Sequence, residues 1–239
     1  MALPCMKIEV IAAEPAPVKL NVVYTNQTSN VEEIINLFNE ILSKQAEIMK
    51  INKQQKPVVG FDLEYTMPRM RGKIQTVTIA QLCVENHVLV YHYHWAAPSP
   101  SARFANFINS DAYEFSTVDA NSDRRVLRDT GLMCQNLVDI QEKYKIKNNN
   151  KSDDSLADLA AAIIDPSFIS VKGKANQTRL ANKWTYFPLD DDQVTYAAKD
   201  AYVGYEVYRR IILMRECLLN PEDVASRRNN NKKKRRRNN

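Results

Sequence analysis

Read as a pattern of apolar and polar positions, the chain opens with two β-like runs, MKIEVIAAE and PVKLNVVYT. Both are rich in β-branched residues and a proline-containing turn separates them, which predicts a hairpin. The period then changes. In SNVEEIINLFNEILSKQAEIMK, Ile34, Ile35, Phe38, Ile41 and Leu42 recur at helical spacing, with Ser29 or Asn30 placed to cap the helix and Glu32 and Glu33 suited to its first turn. Three apolar runs follow, PVVGFDLEYT, IQTVTIAQLCVE and HVLVYHYHW, joined by segments short enough for an antiparallel meander. SARFANFINS predicts a short helix and AYEFSTVDA a fourth strand. SDRRVLRDTGL predicts a helix capped by Ser122 and ended by Gly131, and QNLVDIQ a fifth strand. KIKNNNKSDD reads as a surface loop and SLADLAAAIID as a compact helix that stops before Pro166. LDDDQVTYAAKDAYVGYEVYRRIILMREC is a long helix with Asp190 as its cap. Strands first, then helices alternating with strands, predict an α/β fold with a mixed sheet covered by helices on both sides.

Composition narrows the class. With 239 residues, 44% apolar and 26% charged, the chain is long enough for one domain with a sizeable core and extensions. No apolar stretch approaches the roughly 20 residues that span a bilayer, and no basic-then-apolar leader opens the chain, so a soluble protein with no membrane partner is expected. Cys5, Cys83, Cys134 and Cys217 show neither metal-ligand spacing nor a disulfide framework, which fits reduced thiols. The net charge of +5 is uneven. Eight of the 33 basic residues fall in 227–239, RRNNNKKKRRRNN, leaving 25 against 28 Asp and Glu in the rest of the chain. A mildly acidic body holds a polyanion only through local basic patches, metal ions or that tail.

Within the third apolar run, Asp62 and Glu64 are two residues apart. In a strand they share one face, and like charges held that close cost stability unless a cation or a shared proton sits between them. Tyr196 and Asp200 lie four apart in the long helix and so emerge from one face, one turn apart. That face either meets a metal site or is an amphipathic contact with the acid turned outward. Between strand and helix, FSTVDANSDRRVLRD offers Asp123 in a helix's first turn, with Asp119 and Asp129 as rivals and simple capping as the alternative role.

Taken in order, Asp-x-Glu on a first strand, Asp at a strand-to-helix junction and Tyr-x-x-x-Asp on a late helix resemble the DEDDy 3′-5′ exonucleases of the ribonuclease H-like fold. The likeness runs from about Val58 to Ile212, through VGFDLEYT, TVTIAQLCV, DRRVLRDTGL, SLADLAAAII and WTYFPLDDDQVTYAAKDAYVGYEVYR. It is greatest to the Werner-type exonuclease domain and related small stand-alone exonucleases. Trp184, Pro188, Leu189, Gln193, Tyr196, Ala197 and Asp200-Ala201-Tyr202 carry it most specifically. Two positions depart from the pattern: Tyr65 stands where such proteins usually have Trp, and the segment before Asp123 lacks their glycines.

The resemblance implies a five-stranded ribonuclease H-like sheet in an exonuclease domain at 51–226; the apolar pattern adds an N-terminal hairpin and helix packed on it at 1–50, and composition a disordered basic tail at 227–239. It implies hydrolysis of phosphodiester bonds from a free 3′ end of RNA or DNA, with two Mg2+ or Mn2+ ions held by Asp62, Glu64, Asp123 and Asp200. Asp62 would bridge the ions, Glu64 and Asp200 complete the one that binds the attacking water, and Asp123 hold the other. A phenol titrates near ~10, so the role implied for Tyr196 is to orient that water. A catalytically idle nucleic-acid-binding or scaffolding module of the same fold is the competing class, and a homo-oligomer is compatible with either.

Other features read less specifically. Lys172, Lys174, Arg179 and Lys183 in VKGKANQTRLANKW form either a phosphate-contacting loop or a solvated one. His92 and His94 share a strand face but lack further ligands, so packed or hydrogen-bonded histidines are expected; Trp184 should anchor the long helix by packing. The tail is either a nuclear-import address, with a nuclear or cytoplasmic location following, or an arm that adds non-specific affinity for nucleic acid.

Overall fold

The computed structural model describes residues 6–10, 18–49, 56–66, 74–146, 154–170 and 183–215. Its strands are β1 (Met6–Val10), β2 (Val18–Thr25), β3 (Val58–Tyr65), β4 (Val77–Val84), β5 (His87–Tyr91), β6 (Glu114–Thr117) and β7 (Leu137–Asp139). The α-helices are α1 (Thr28–Met49), α2 (Ala102–Ile108), α3 (Ala120–Thr130), α4 (Ile140–Lys143), α5 (Leu156–Ile163) and α6 (Asp191–Arg215). The strands form one mixed sheet in the order β1-β2-β5-β4-β3-β6-β7. β3, β4 and β5 are the expected antiparallel meander, and β6 and β7 continue it in parallel beyond β3. The N-terminal hairpin extends the same sheet, because β2 pairs in parallel with β5 from Asn21–His87 to Thr25–Tyr91.

Helices cover both faces. Val31, Ile34, Ile35, Phe38 and Leu42 of α1 pack with Phe104 and Phe107 of α2 and Val126 and Leu127 of α3 on one side, against Val59, Phe61 and Leu63 of β3. On the other side Ala197, Ala198, Ala201 and Tyr205 of α6 join Leu159 and Ala160 of α5 over Val58, Ile79 and Cys83. β4 is buried at every position from Val77 to Val84, as a central strand covered on both faces must be. At about 1.5–3 kcal/mol for each large apolar side chain removed from water, this two-sided burial is what holds the sheet to its helices.

Three local expectations change. α1 begins at Thr28, so Ser29 and Asn30 lie inside its first turn instead of capping it, and that turn carries no acid. Thr25 Oγ1 accepts from the Gln27 N–H and from Asn30 Nδ2, drawing the strand end over the helix start. α3 is capped by Asp119, held at φ 63°, whose side chain accepts from Ser122 N; Ser122 is itself helical. Its predicted stop holds: Gly131 adopts φ 82°, and Leu132 N donates back to Leu127 O. Finally, β5 ends at Tyr91 and residues Tyr93–Trp95 form a 3-10 turn, so His92 is buried while His94 is exposed.

Candidate active site

Alternation along β3 sorts its side chains. Val59, Phe61 and Leu63 enter the core under α1, which sends Gly60, Asp62 and Glu64 to the face covered by α6. α6 lies hard against that face. A Cβ on Gly60 would stand 2.2 Å from Ala201 O and 2.8 Å from Tyr205 Cβ, so only glycine admits the helix this close.

The alignment of α6 follows from two further contacts. Tyr208 Oη donates to Glu114 Oε2 at 2.7 Å, and Ser116 Oγ reaches Gly204 O at 3.2 Å. Four residues of helix advance about 6.0 Å and two of strand about 6.6 Å, so the two elements keep step. Because Val58 pairs with Glu114 and Gly60 with Ser116, the next steps bring Asp200 to the level of Asp62 and Tyr196 to that of Glu64. Asp200 is 5% exposed. It is buried against the sheet and not turned outward, while Asp62, Glu64 and Tyr196 are half-buried.

Asp123 arrives from the neighbouring strand. β6 ends at Thr117, whose Oγ1 donates to Asp123 Oδ2 at 2.6 Å, and α3 is fixed there by Asp139, which accepts from Ala120 N at 3.0 Å. Asp123 is 5% exposed, whereas its rivals Asp119 and Asp129 are exposed, the first as the α3 cap and the second beside Arg128. Burial, then the charge of Asp62, holds the Asp123 carboxyl well above the usual carboxylate range against the opposing hydrogen bond from Thr117. Tyr65 belongs to the same neighbourhood: burial, then the charges of Asp123, Glu64, Asp119 and Asp62, raise its phenol.

The acids thus share one end of the sheet without forming a closed cage. Among the described residues, no three His, Cys, Asp or Glu side chains are grouped so as to hold a metal ion as they stand. The donor set is all carboxylate oxygen around a half-open edge, which suits hard cations of the Mg2+ or Mn2+ kind over zinc or copper.

The approach to α6 is aromatic. Trp184 is buried and packs on Tyr196 with ring centres 6.1 Å apart, as an anchor of the helix start should. Asp190 and Gln193 then cap the helix reciprocally, Gln193 N to Asp190 Oδ1 at 2.8 Å and Asp190 N to Gln193 Oε1 at 3.1 Å. Trp95 Nε1 donates to Thr185 O at 2.8 Å, and Trp95, Tyr186 and Phe187 are 51%, 65% and 48% exposed. His92 is packed and hydrogen-bonded: its Nδ1 is 3.0 Å from Tyr24 Oη, and Phe187 covers its ring. Of the basic residues expected on the preceding loop, Lys183 is exposed; Lys172, Lys174 and Arg179, like the tail, lie outside the described residues.

Sequence reasoning missed Gly60 and Thr117, and it marked Tyr65 only as a departure from the family pattern, not as a neighbour of the acids. It also missed a bulge after Glu64, where the register with β4 slips so that Thr78 is skipped. The one available signal was a glycine inside an otherwise apolar strand, which marks close backbone approach.

Residues 35–215 match the model of the 3′-5′ exonuclease family. The chain belongs to that family. Among curated relatives of this chain, the mouse (Mus musculus) bifunctional 3′-5′ exonuclease/ATP-dependent helicase WRN is 28% identical over 156 residues, covering 64% of the chain and 11% of that protein. A 3′-5′ exonuclease of Arabidopsis thaliana is 27% identical over 159 residues, covering 63% of the chain and 51% of the relative. The chain therefore spans about half or less of the length of these relatives. Among solved structures, Escherichia coli RNase D superposes with a TM-score of 0.59 at 15% identity, covering 87% of this chain and 49% of that one. The Nibbler EXO domain of Aedes aegypti gives 0.54 at 18%, covering 85% and 93%. At such identities the likeness is one of fold, the ribonuclease H-like mixed sheet.

Proposed function

We propose that this exonuclease removes nucleotides from the 3′ end of an unpaired RNA or DNA strand. In this reading Asp62, Glu64, Asp123 and Asp200 hold two divalent cations, Mg2+ or Mn2+, and Tyr196 orients the attacking water. The observation that carries it is the docking of α6 on Gly60; together with Asp123 buried in the field of Asp62, it supports a reading in which Asp200 stands level with Asp62. Acids withdrawn from water and facing one another burden the fold, and a cation between them turns that burden into affinity.

Bound there, the cations would supply a water of lowered pKa and neutralise charge building on the phosphoryl oxygens and the leaving 3′-oxygen. The chain's own residues do the rest. Asp62, Glu64 and Asp200 would hold the cation that supplies the water, and Asp62 with Asp123, which accepts a hydrogen bond from Thr117, would hold the other. Tyr196 presents its hydroxyl one turn before Asp200, with the packed ring of Trp184 restricting its swing. The exposed rings of Trp95, Tyr186 and Phe187 offer stacking surfaces for unpaired bases, and Lys183 a phosphate contact.

Digestion of end-labelled RNA and DNA, single-stranded and duplex, tests the proposal. Expected is a ladder shortening from the 3′ end with Mg2+ or Mn2+ and none with chelator. Asp62→Ala and Asp200→Ala should lower the rate by at least about 10³-fold, as several kcal/mol of transition-state stabilisation implies at about 1.36 kcal/mol per tenfold. An unmodified chain that binds these strands and cuts none would favour an idle binding module.

A further inference from the structure

Opposite Asp62 in the sheet stands a residue the proposed chemistry has not used. In the antiparallel pairing of β3 with β4, Asp62 faces Gln81, and directly opposed residues project from the same face with Cβ atoms about 4.5–5.5 Å apart. That face is the one under α6. Gly60 on the same strand touches Ala201 there, and Ile79 and Cys83, flanking Gln81 at alternate positions of β4, belong to the core that α6 covers. Gln81 is 0% exposed, and among the described residues neither its Nε2 nor its Oε1 has a hydrogen-bond partner. A carboxamide with two donors and an acceptor, fully withdrawn from water and unpaired, is a cost the fold would shed by carrying Leu or Met there. Its retention against the central acid of the site needs a reason other than stability.

We propose that Gln81 is a positioning residue for Asp62: its carboxamide donates an N–H to the Asp62 carboxylate when the acids gather around a divalent cation, fixing the orientation of that carboxylate. A carboxylate offers about four lone-pair positions, so Asp62 can accept this bond and still serve as a ligand. An outer partner of this kind orients the ligand and raises its effectiveness, and its loss typically lowers metal affinity or activity by about 10–100-fold. The inference rests on the exonuclease reading of the site.

Gln81→Met, which keeps the volume and removes the polar atoms, separates this role from a structural one; Gln81→Leu serves as a second variant. Three quantities are measured on the full chain: the metal-free melting temperature, Mn2+ binding by titration calorimetry without nucleic acid, and the rate of 3′-end digestion. Expected is a variant that melts no lower than the unmodified chain, yet binds Mn2+ and digests about tenfold or more less well. A variant that melts well below the unmodified chain, or one whose Mn2+ affinity and rate are unchanged, overturns the role of Gln81 and leaves the exonuclease reading standing. Failure of the unmodified chain to bind Mn2+ and digest any strand overturns both.

Discussion

At the scale of single residues, the site is marked by groups kept where they lower stability. Asp123 is the clearest: burial and the charge of Asp62 raise its pKa, so the folded chain holds its proton more tightly than the unfolded chain does. Such a carboxyl costs the fold nothing below the unfolded value near ~3.9 and its full penalty above the folded one. Asp123→Asn keeps an acceptor for Thr117 and removes the charge. The metal-free variant should therefore melt a few °C higher at pH 7, about 1 kcal/mol being worth ~2–4 °C in a chain of this size. The advantage should shrink as pH falls toward 4. Circular-dichroism melts at the two pH values measure it, and a variant that melts lower at pH 7 would contradict the burial cost. The acids were legible in sequence because chemistry restricts them to Asp and Glu at fixed spacing. Tyr65 stood out only against the family pattern; its place among the acids was not legible, since one phenol next to an acid has no periodic signature.

At the scale of elements, the site is made by one close approach, α6 against β3 at Gly60. Gly60→Ala puts a methyl group 2.2 Å from Ala201 O, and relieving that contact must lift the helix from the strand. Overpacking of this kind costs about 1–3 kcal/mol, more where backbone must move. The variant should melt several °C lower and lose most of its 3′-end digestion even where it remains folded. Unchanged melting and digestion would mean that this contact does not position Asp200. Helices and strands were readable from their periods, and the α6 cap from Asp190 and Gln193. The start of α1 and the cap of α3 were not. Thr25 and Asp119 act from the preceding strand end and from a left-handed backbone, and both depend on neighbours that local spacing does not report. The register that sets Gln81 against Asp62 is likewise a property of the pair of strands and not of either one.

At the scale of the whole molecule, the meander and the existence of two further strands were foreseen, while the parallel pairing of those two beyond β3 and the joining of the hairpin to β5 were not, because parallel pairing of distant segments leaves no turn to read. That joining seats Tyr24 of β2 between His92 and the loop into α6: Leu189 N donates to Tyr24 Oη at 2.8 Å, and His92 Nδ1 lies 3.0 Å from it. Burial, then His94, lowers the His92 pKa from 6.5 to about 4. A base held neutral by the fold stabilises it fully above the unfolded value, and that contribution is lost as pH falls from 6.5 to about 4, by about 1.4 kcal/mol per pH unit. His92→Gln should melt lower at pH 7.5 but with a flatter profile between pH 6.5 and 4.5; a profile as steep as that of the unmodified chain would place the acid sensitivity elsewhere. The sheet, the hairpin and α6 together serve one end, the acid-bearing edge. The most direct test of that claim is anomalous diffraction from crystals grown with Mn2+ and a nucleoside 5′-monophosphate. The account predicts manganese bound by Asp62 and Asp200 on the face that α6 covers, and manganese bound elsewhere, or none beside Asp62, would contradict it.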